Sequence, residues 1–267
     1  MDGMPLLVVM TVTYGRMATN MKKYILIFTL ILTASLFAQT IQSHHSTLLK
    51  KRGAAVSSET GEVFADDFED GTLDAWIVYA ESGNSISIAT DTTHSGTYAA
   101  KLVYGGSNNR NVMSIATDNL NSIYFRCYMK FPANFVGGDG YPTTDFFSFV
   151  DGAAGVVYQR IKHDASNRPR NWDILSNGTT DQDANYTHMI HNNWFLVELA
   201  WERGTGSNGW TTFKVNGDSV VGIGSLPLAL NADSIRIGTY ILNENPNGYI
   251  YIDDVVIDST TWVGAKP

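Results

Sequence analysis

The chain has 267 residues with a formal net charge of −8, and only 16% of its residues are charged, whereas Gly (24), Tyr (13) and Phe (12) are plentiful. Since a helical bundle would be dominated by Glu, Lys, Leu and Ala, this composition favours a sheet-based domain. The acidic balance, without a run of Lys or Arg, argues against nucleic acid and anionic membranes as partners. The single cysteine, Cys127, excludes an internal disulfide and a cysteine-based zinc site.

The N-terminal region has the form of an export signal. Residues 21–38 contain two lysines, then an apolar run too short for a comfortable membrane span, then small residues ending at Ala38. We expect cleavage of this signal peptide near Ala38, which makes the mature protein secreted, periplasmic or attached to the cell surface. Residues 1–20 are then an over-extended N-terminus, and the polar, aperiodic residues 39–62 are a flexible leader. A single folded domain is predicted at 63–262.

Acidic residues mark both ends of the predicted domain. Asp67, Glu69 and Asp70 lie near its start. Asp253 and Asp254 interrupt an apolar, β-branched strand near its end. Two adjacent carboxylates inside an apolar run are costly unless a cation, hydrogen bonds or water satisfy them. This pair of aspartates is therefore the most informative local feature of the chain.

The clearest predicted strand is 123–131, in which apolar and polar positions alternate. The face that we expect to meet the core holds Ile123, Phe125, Cys127, Met129 and Phe131. The opposite face holds Tyr124, Arg126, Tyr128 and Lys130. Two tyrosines that flank an arginine are typical of a sugar-binding face, because aromatic rings stack on pyranose rings while Arg and Lys meet hydroxyls or carboxylates. The alternative is cross-strand packing of the tyrosines.

Later segments add further residues to this set. The strand that contains Tyr158 and Arg160 has no purely apolar face, which indicates a sheet edge or a polar groove. These two residues, with Trp172 and Tyr240, complete the expected ligand-binding set. Residues 208–217 form a strand that ends in an Asn-Gly hairpin turn.

Three segments together resemble a known fold family. They are the opening Phe-Glu-Asp-Gly-Thr-Leu, the central Val-Glu-Leu followed by Gly-Trp-x-x-Phe-Lys-Val-Asn-Gly, and the final Gly-Tyr-Ile-Tyr-Ile-Asp-Asp-Val-Val-Ile. In this order they resemble the laminin-G-like jelly rolls of the concanavalin A-like lectin/glucanase superfamily, and the ending is also similar to that of heparin-lyase and alginate-lyase type polysaccharide lyases. The resemblance implies an all-β fold, a two-sheet antiparallel β-sandwich, and sugars as the ligand class. It does not imply an activity.

The resemblance also implies a structural calcium ion between the two acidic ends of the domain. The residues that match the family's ligand acids are Asp67, Glu69, Asp70 and Asp253, and the segment 94–102 matches the one that lends backbone carbonyls. Such an ion would tie the N-terminal and C-terminal strands together. The alternative is that these acids are solvated turn residues and caps.

Three functions remain open. The first is a secreted, non-catalytic domain that binds a polysaccharide or another glycan through an aromatic and basic sheet face. The second is a polysaccharide lyase that cleaves a uronate-containing glycan by β-elimination, which requires a neutralising Arg, Gln or His and a Tyr or His base. The candidates for these roles are Arg126, Tyr128, Gln159 and His163, and the spacing of the last two does not match the alginate-lyase pattern. The third is a structural or adhesion module.

A retaining glucanase of the same superfamily is disfavoured. The strand pattern Glu-x-Asp-x-x-Glu, which supplies its nucleophile and acid, is absent. Glu198 and Glu202 share a strand face, but no aspartate stands between them.

Overall fold

Strands account for all the regular structure in the described part of the chain. This computed structural model describes residues 61–105, 110–136, 143–151, 154–163, 169–176, 178–183, 191–204, 206–226, 231–239 and 246–264. In chain order the strands are β1 (Glu62–Asp66), β2 (Ile77–Ala80), β3 (Ser85–Ala89), β4 (Ala99–Gly105), β5 (Asn111–Leu120), β6 (Ser122–Lys130), β7 (Thr143–Asp151), β8 (Ala154–His163), β9 (Pro169–Ser176), β10 (Thr179–Gln182), β11 (Trp194–Glu202), β12 (Gly209–Val215), β13 (Asp218–Leu226), β14 (Ala232–Thr239) and β15 (Asn247–Asp258). The predicted signal peptide, the residues before it and the leader up to residue 60 lie outside the described residues.

Two antiparallel sheets stack face to face, so the predicted all-β sandwich is confirmed. The eight-stranded sheet has the order β13-β12-β11-β6-β15-β4-β3, with β1 paired to the far end of β15. The seven-stranded sheet has the order β10-β9-β8-β7-β14-β5-β2. Every pairing between named strands is antiparallel. Among the described residues there is no helix long and apolar enough to span a membrane.

The core lies between the inner faces of the two sheets, and the alternation predicted for β6 is confirmed. Its residues Ile123, Phe125, Cys127 and Met129 belong to the buried cluster. Cys127 is a free, fully buried thiol, and burial raises its pKa well above the ordinary value. The thiol is therefore a packing group with little thiolate character.

The last two strands belong to different sheets. β14 pairs with β5 and β7 in the seven-stranded sheet, whereas β15 pairs with β4 and β6 in the eight-stranded sheet. The predicted hairpin turn is confirmed between β12 and β13, where Asn216 and Gly217 have φ values of 52° and 89°. Positive φ at both central residues suits the right-handed twist of a hairpin, which explains the Asn-Gly pair.

Candidate functional site

The aromatic and basic face of β6 points away from the core as predicted, but the chain covers much of it. Tyr128 is 9% exposed and Arg126 is 6% exposed. The His94 ring stacks on Tyr128 with ring centroids 3.4 Å apart. Arg126 Nη1 donates to the carbonyl oxygen of Gly264, 2.5 Å away. In this arrangement neither side chain offers the open surface that sugar stacking needs.

The two ends of the same face are also engaged by nearby segments. Tyr124 lies in edge contact with Trp210 and Trp262, at centroid distances of 6.3 Å and 5.6 Å. Lys130 Nζ donates to Thr92 Oγ1 at 3.0 Å. Packing of the tyrosines, the alternative to sugar binding, thus accounts for most of the exterior of β6.

A second polar face lies on the outside of the seven-stranded sheet, and we call it the polar face. In its first cross-strand row, Arg236 of β14 is opposite Ser148 of β7, which is opposite Tyr158 of β8. Arg236 and Tyr158 are half-buried, whereas Ser148 is buried between them. In the second row, Arg160 of β8 stands between two aspartates, and its partners are Asp145 of β7 and Asp173 of β9.

A β-bulge brings Asp145 to this face. The register of β7 against β8 shifts between Asp145 and Phe147, so that Phe146 is the extra residue. Both phenylalanines point into the core, where they are 0% and 1% exposed. Strict alternation would have placed Asp145 and Phe147 on one face. The bulge therefore separates the carboxylate from the core while keeping both rings in it.

Arg160 and Asp173 form a close ion pair on the polar face. Nε of Arg160 donates to Asp173 Oδ1 at 2.9 Å, and Nη2 donates to the same oxygen. The side chain of Asp173 is 2% exposed and that of Arg160 is 17% exposed. A carboxylate this buried needs the guanidinium, and the pair fixes the position of Arg160 on the face.

Asp145 is held in an environment that disfavours its charge. Burial raises its pKa from the ordinary value of 3.8 to about 6, the Arg160 guanidinium opposes the rise, and the Asp173 carboxylate adds to it. Asp145 is 5% exposed. A folded-state pKa above the unfolded value means that this group costs stability as the pH rises from about 4 to about 6. Carboxyls retained at such a cost are typical of functional sites.

The variant Asp145→Asn tests this environment. At pH 4 the carboxyl is protonated and resembles the amide, so we expect the two proteins to have similar free energies of unfolding. At pH 7 we expect the variant to gain roughly 1–3 kcal/mol relative to the wild type, because the buried charge is gone. Urea denaturation at both pH values measures the difference. A gain of equal size at pH 4 and pH 7 would contradict the raised pKa.

Two of the expected site residues lie in the core instead, and for these the expectation is corrected. Trp172 is 0% exposed and packs against Phe213 at a centroid distance of 4.7 Å. Gln159 is 0% exposed and stands opposite Phe147 and Ile174, which belong to the buried cluster. Both residues occupy the inward positions of their strands, so they cannot contact a ligand on the outer face.

Of the remaining predicted residues, Tyr158 and Arg160 share the polar face as expected. Their strand β8 is interior, between β7 and β9, so its polar alternation reflects this face and not a sheet edge. The predicted residue Tyr240 lies outside the described residues, and of His163 only the backbone, at the end of β8, is described. The residues of this face that the sequence reasoning did not select are Asp145, Ser148, Asp173 and Arg236. Polar residues inside otherwise apolar strands were the available signal.

The acids proposed for calcium serve mainly as hydrogen-bond acceptors for one loop. Asp253 Oδ2 accepts from the backbone N–H groups of His94 and Ser95 at 2.8 Å and 3.2 Å. Glu69 Oε1 accepts from the N–H groups of residues 97 and 98 at 2.8 Å and 2.9 Å. The adjacent Asp254 accepts from Ser95 Oγ and lies 2.7 Å from His94 Nδ1. These contacts stabilise the carboxylates that made the last strand costly in the sequence.

The other two acids cap turns. Asp67 accepts from the N–H of Glu69, and Asp70 accepts from the N–H of Thr72. In the described part of the chain, no group of three or more His, Cys, Asp or Glu side chains is placed to hold a metal ion. Calcium binding stays a prediction that metal analysis of the purified protein tests.

Comparison with known proteins supports the fold. No family model matches the chain, and no curated protein matches it. Among solved structures, the cellulose-induced protein Cip1 is similar at a TM-score of 0.57 and 19% identity, over 76% of this chain and 100% of that one. An endo-β-1,4-glucuronan lyase from the fungus Trichoderma reesei has a TM-score of 0.50 and 14% identity, over 74% and 96%. A carbohydrate esterase from the Shiga toxin-encoding bacteriophage phi24B has a TM-score of 0.51 and 15% identity, over 76% and 100%.

At these identities the likeness shows the fold alone. The chain adopts a two-sheet jelly-roll β-sandwich, as the sequence resemblance implied, and membership of the concanavalin A-like superfamily stays a prediction. The narrower laminin-G-like assignment stays a prediction.

Proposed function

We propose that this protein binds polysaccharide across the polar face of the seven-stranded sheet. The observation that carries the proposal is the cross-strand row in which half-buried Arg236 and Tyr158 flank the buried Ser148. Adjacent strands lie about 4.8 Å apart, so the backbones of Arg236 and Tyr158 are separated by about 10 Å. A sugar ring above Ser148 would meet the tyrosine on one side and the guanidinium on the other.

The second row supports the same proposal. Asp173 fixes the position of Arg160, and Asp145 lies beside Arg160. These polar groups are therefore already positioned for a ligand in the unbound protein. Groups held by the scaffold lose little conformational entropy on binding, which favours affinity for a flexible glycan. Two of the similar structures are a glucuronan lyase and a carbohydrate esterase, whose names refer to carbohydrates, and this supports the proposal. We also propose that the mature protein is exported. N-terminal sequencing of the exported protein tests the predicted cleavage near Ala38.

Retardation in gels that contain uronate or neutral polysaccharides tests the proposal. We expect the wild type to be retarded by at least one polysaccharide and Arg236→Ala to bind it about 10- to 100-fold more weakly, because a hydrogen bond from a charged donor is lost. Arg126→Ala is the matched control, since Arg126 lies on the outer face of the other sheet. Loss of binding in Arg126→Ala with full binding in Arg236→Ala would assign the ligand to β6. No retardation on any polysaccharide would favour a structural or adhesion module.

A lyase is the second candidate, and the row of Arg236, Ser148 and Tyr158 is what favours it. In β-elimination the glycosidic C–O bond breaks and the departing oxygen takes up a proton, which a side chain that has accepted the substrate's proton can supply. The reaction needs a cation that neutralises the uronate carboxylate and a base that removes the neighbouring proton. Arg236 and Tyr158 are side chains of these two kinds on one face. A rise in ultraviolet absorbance from unsaturated uronate, lost in Tyr158→Phe, would establish the lyase. A flat signal with wild-type protein across the polysaccharides that bind would leave binding as the function.

A further inference from the structure

The outer face of the seven-stranded sheet continues from the second row to the edge strand β2. On β14 the register with β7 ends where Ile237 pairs with Phe147, next to the bulge. The following residue, Gly238, is opposite Val112 of β5, and Val112 is opposite Tyr79 of β2. From Arg160 on β8 to Tyr79 on β2, this face spans five adjacent strands. At about 4.8 Å between strands, its ends are about 19 Å apart.

The two ends of this span are more exposed than the residues between them. Asp145 and Val112 are 5% and 4% exposed, whereas the side chain of Arg160 on β8 is 17% exposed. Gly238 lies between them with a φ of 108°, where a Cβ would meet the carbonyl oxygen of Asn111 and the core side chain of Leu102. The backbone conformation and the core packing therefore require a glycine at this position.

At the β2 end of this span lies an exposed aromatic ring that its neighbours orient. Tyr79 is 48% exposed, and its hydroxyl donates to Glu81 Oε1 at 3.0 Å. The Arg110 guanidinium carbon lies 5.9 Å from the ring centroid, and Glu81 Oε2 accepts from the N–H of Arg110 at 2.8 Å. An exposed tyrosine on an edge strand would ordinarily be free to rotate. Here Glu81 and Arg110 hold it in place, which favours a binding role.

We propose that Tyr79 is a distal sugar subsite, and that the ligand is a linear polysaccharide that runs across the strands from Arg160 to Tyr79. This inference rests on the proposed function and adds its ligand length and direction. A ring stacked on Tyr79 engages the adjacent Arg110 through its hydroxyls or a carboxylate. A mono- or disaccharide over Ser148 is too short to reach Tyr79, so the subsite acts only on longer chains.

The test uses size-graded oligosaccharides prepared from the polysaccharide that retards the wild type, with affinities measured by calorimetry. We expect Tyr79→Ala to weaken binding of long oligosaccharides about three- to tenfold and to leave disaccharide binding unchanged. Val78→Ala is the matched control, because Val78 lies on the same strand, is 41% exposed and stands opposite the core residue Met113. We expect it to bind all lengths as the wild type does.

Each other outcome separates the subsite from the function it rests on. If Arg236→Ala no longer binds oligosaccharides of any length while Tyr79→Ala binds long ones normally, the polar face binds glycan. The proposal of a distal subsite at Tyr79 is then wrong. If the wild type binds no oligosaccharide, both the proposed function and the proposed subsite are wrong. If size-exclusion chromatography shows a dimer that Tyr79→Ala and Val78→Ala both dissociate, the open edge of β2 pairs with a second copy and the subsite is overturned.

Discussion

Trp172→Ala is expected to lower the free energy of unfolding by about 3–5 kcal/mol, the usual range for deletion of a fully buried tryptophan. The ring packs between the two sheets, with Phe213, Phe195 and Phe131 at centroid distances of 4.7 Å, 6.3 Å and 6.3 Å. Its removal leaves a cavity that strands held in two ladders cannot easily close. Urea denaturation followed by near-ultraviolet circular dichroism measures the loss.

Trp210→Ala provides the comparison with the same residue type. Trp210 is half-buried on the outer face of the eight-stranded sheet, where Nε1 donates to Glu202 at 2.9 Å. We expect this variant to lose about 1 kcal/mol or less, since partly exposed side chains away from a core contribute little. If Trp172→Ala has wild-type stability but no longer binds glycan, Trp172 is a ligand-binding residue and not a core residue.

Arg160→Ala is expected to have an effect of similar size, because it leaves a buried carboxylate without its cation. Breaking a buried ion pair by removal of one partner typically costs about 3–5 kcal/mol. The affected carboxylate belongs to Asp173, whose side chain is 2% exposed. The double variant Arg160→Leu with Asp173→Leu removes both charges and is expected to recover much of the lost stability. If the double variant is no more stable than Arg160→Ala, the loss comes from packing and not from the broken ion pair.

The Arg160→Ala loss is also expected to depend on pH. Burial raises the pKa of Asp145 to about 6, and Arg160 is the group that opposes the rise. Without Arg160 this pKa rises further, so that keeping Asp145 charged in the folded state becomes more costly at neutral pH. At pH 4 Asp145 is protonated in the folded state, with or without Arg160. We therefore expect a larger difference between variant and wild type at pH 7 than at pH 4, and equal differences would contradict the coupling.

Local periodicity was sufficient to predict the elements of the sandwich. The alternation in β6 identified its core residues Ile123, Phe125, Cys127 and Met129. The pair Asn216 and Gly217 identified the turn between β12 and β13, because few other residues adopt positive φ at both positions. Each of these features depends only on residues close together in the chain. The order of three such segments was enough to indicate the jelly-roll class.

Periodicity alone did not say which side of β9 faces the core. Trp172 and Asp173 are neighbours, and either an aromatic or a charged residue can be typical of a sugar-binding face. Contacts from other strands determine which of the two side chains faces the core. Phe213 packs on Trp172, while Arg160 of β8 binds Asp173. The bulge at Phe146, which keeps Asp145 out of the core, depends in the same way on the pairing of β7 with β8.

The sequence by itself determined that the strands alternate, that both ends of the domain are acidic, and that aromatic and basic residues line the outside of β6. Only the tertiary structure decided which exterior is covered by the chain. The loop that carries His94 covers Tyr128, and Asp253 holds that loop from a position 159 residues further along the chain. Side-chain alternation is a property of neighbouring residues, whereas the covering of a face depends on segments that meet only after the sheets have formed.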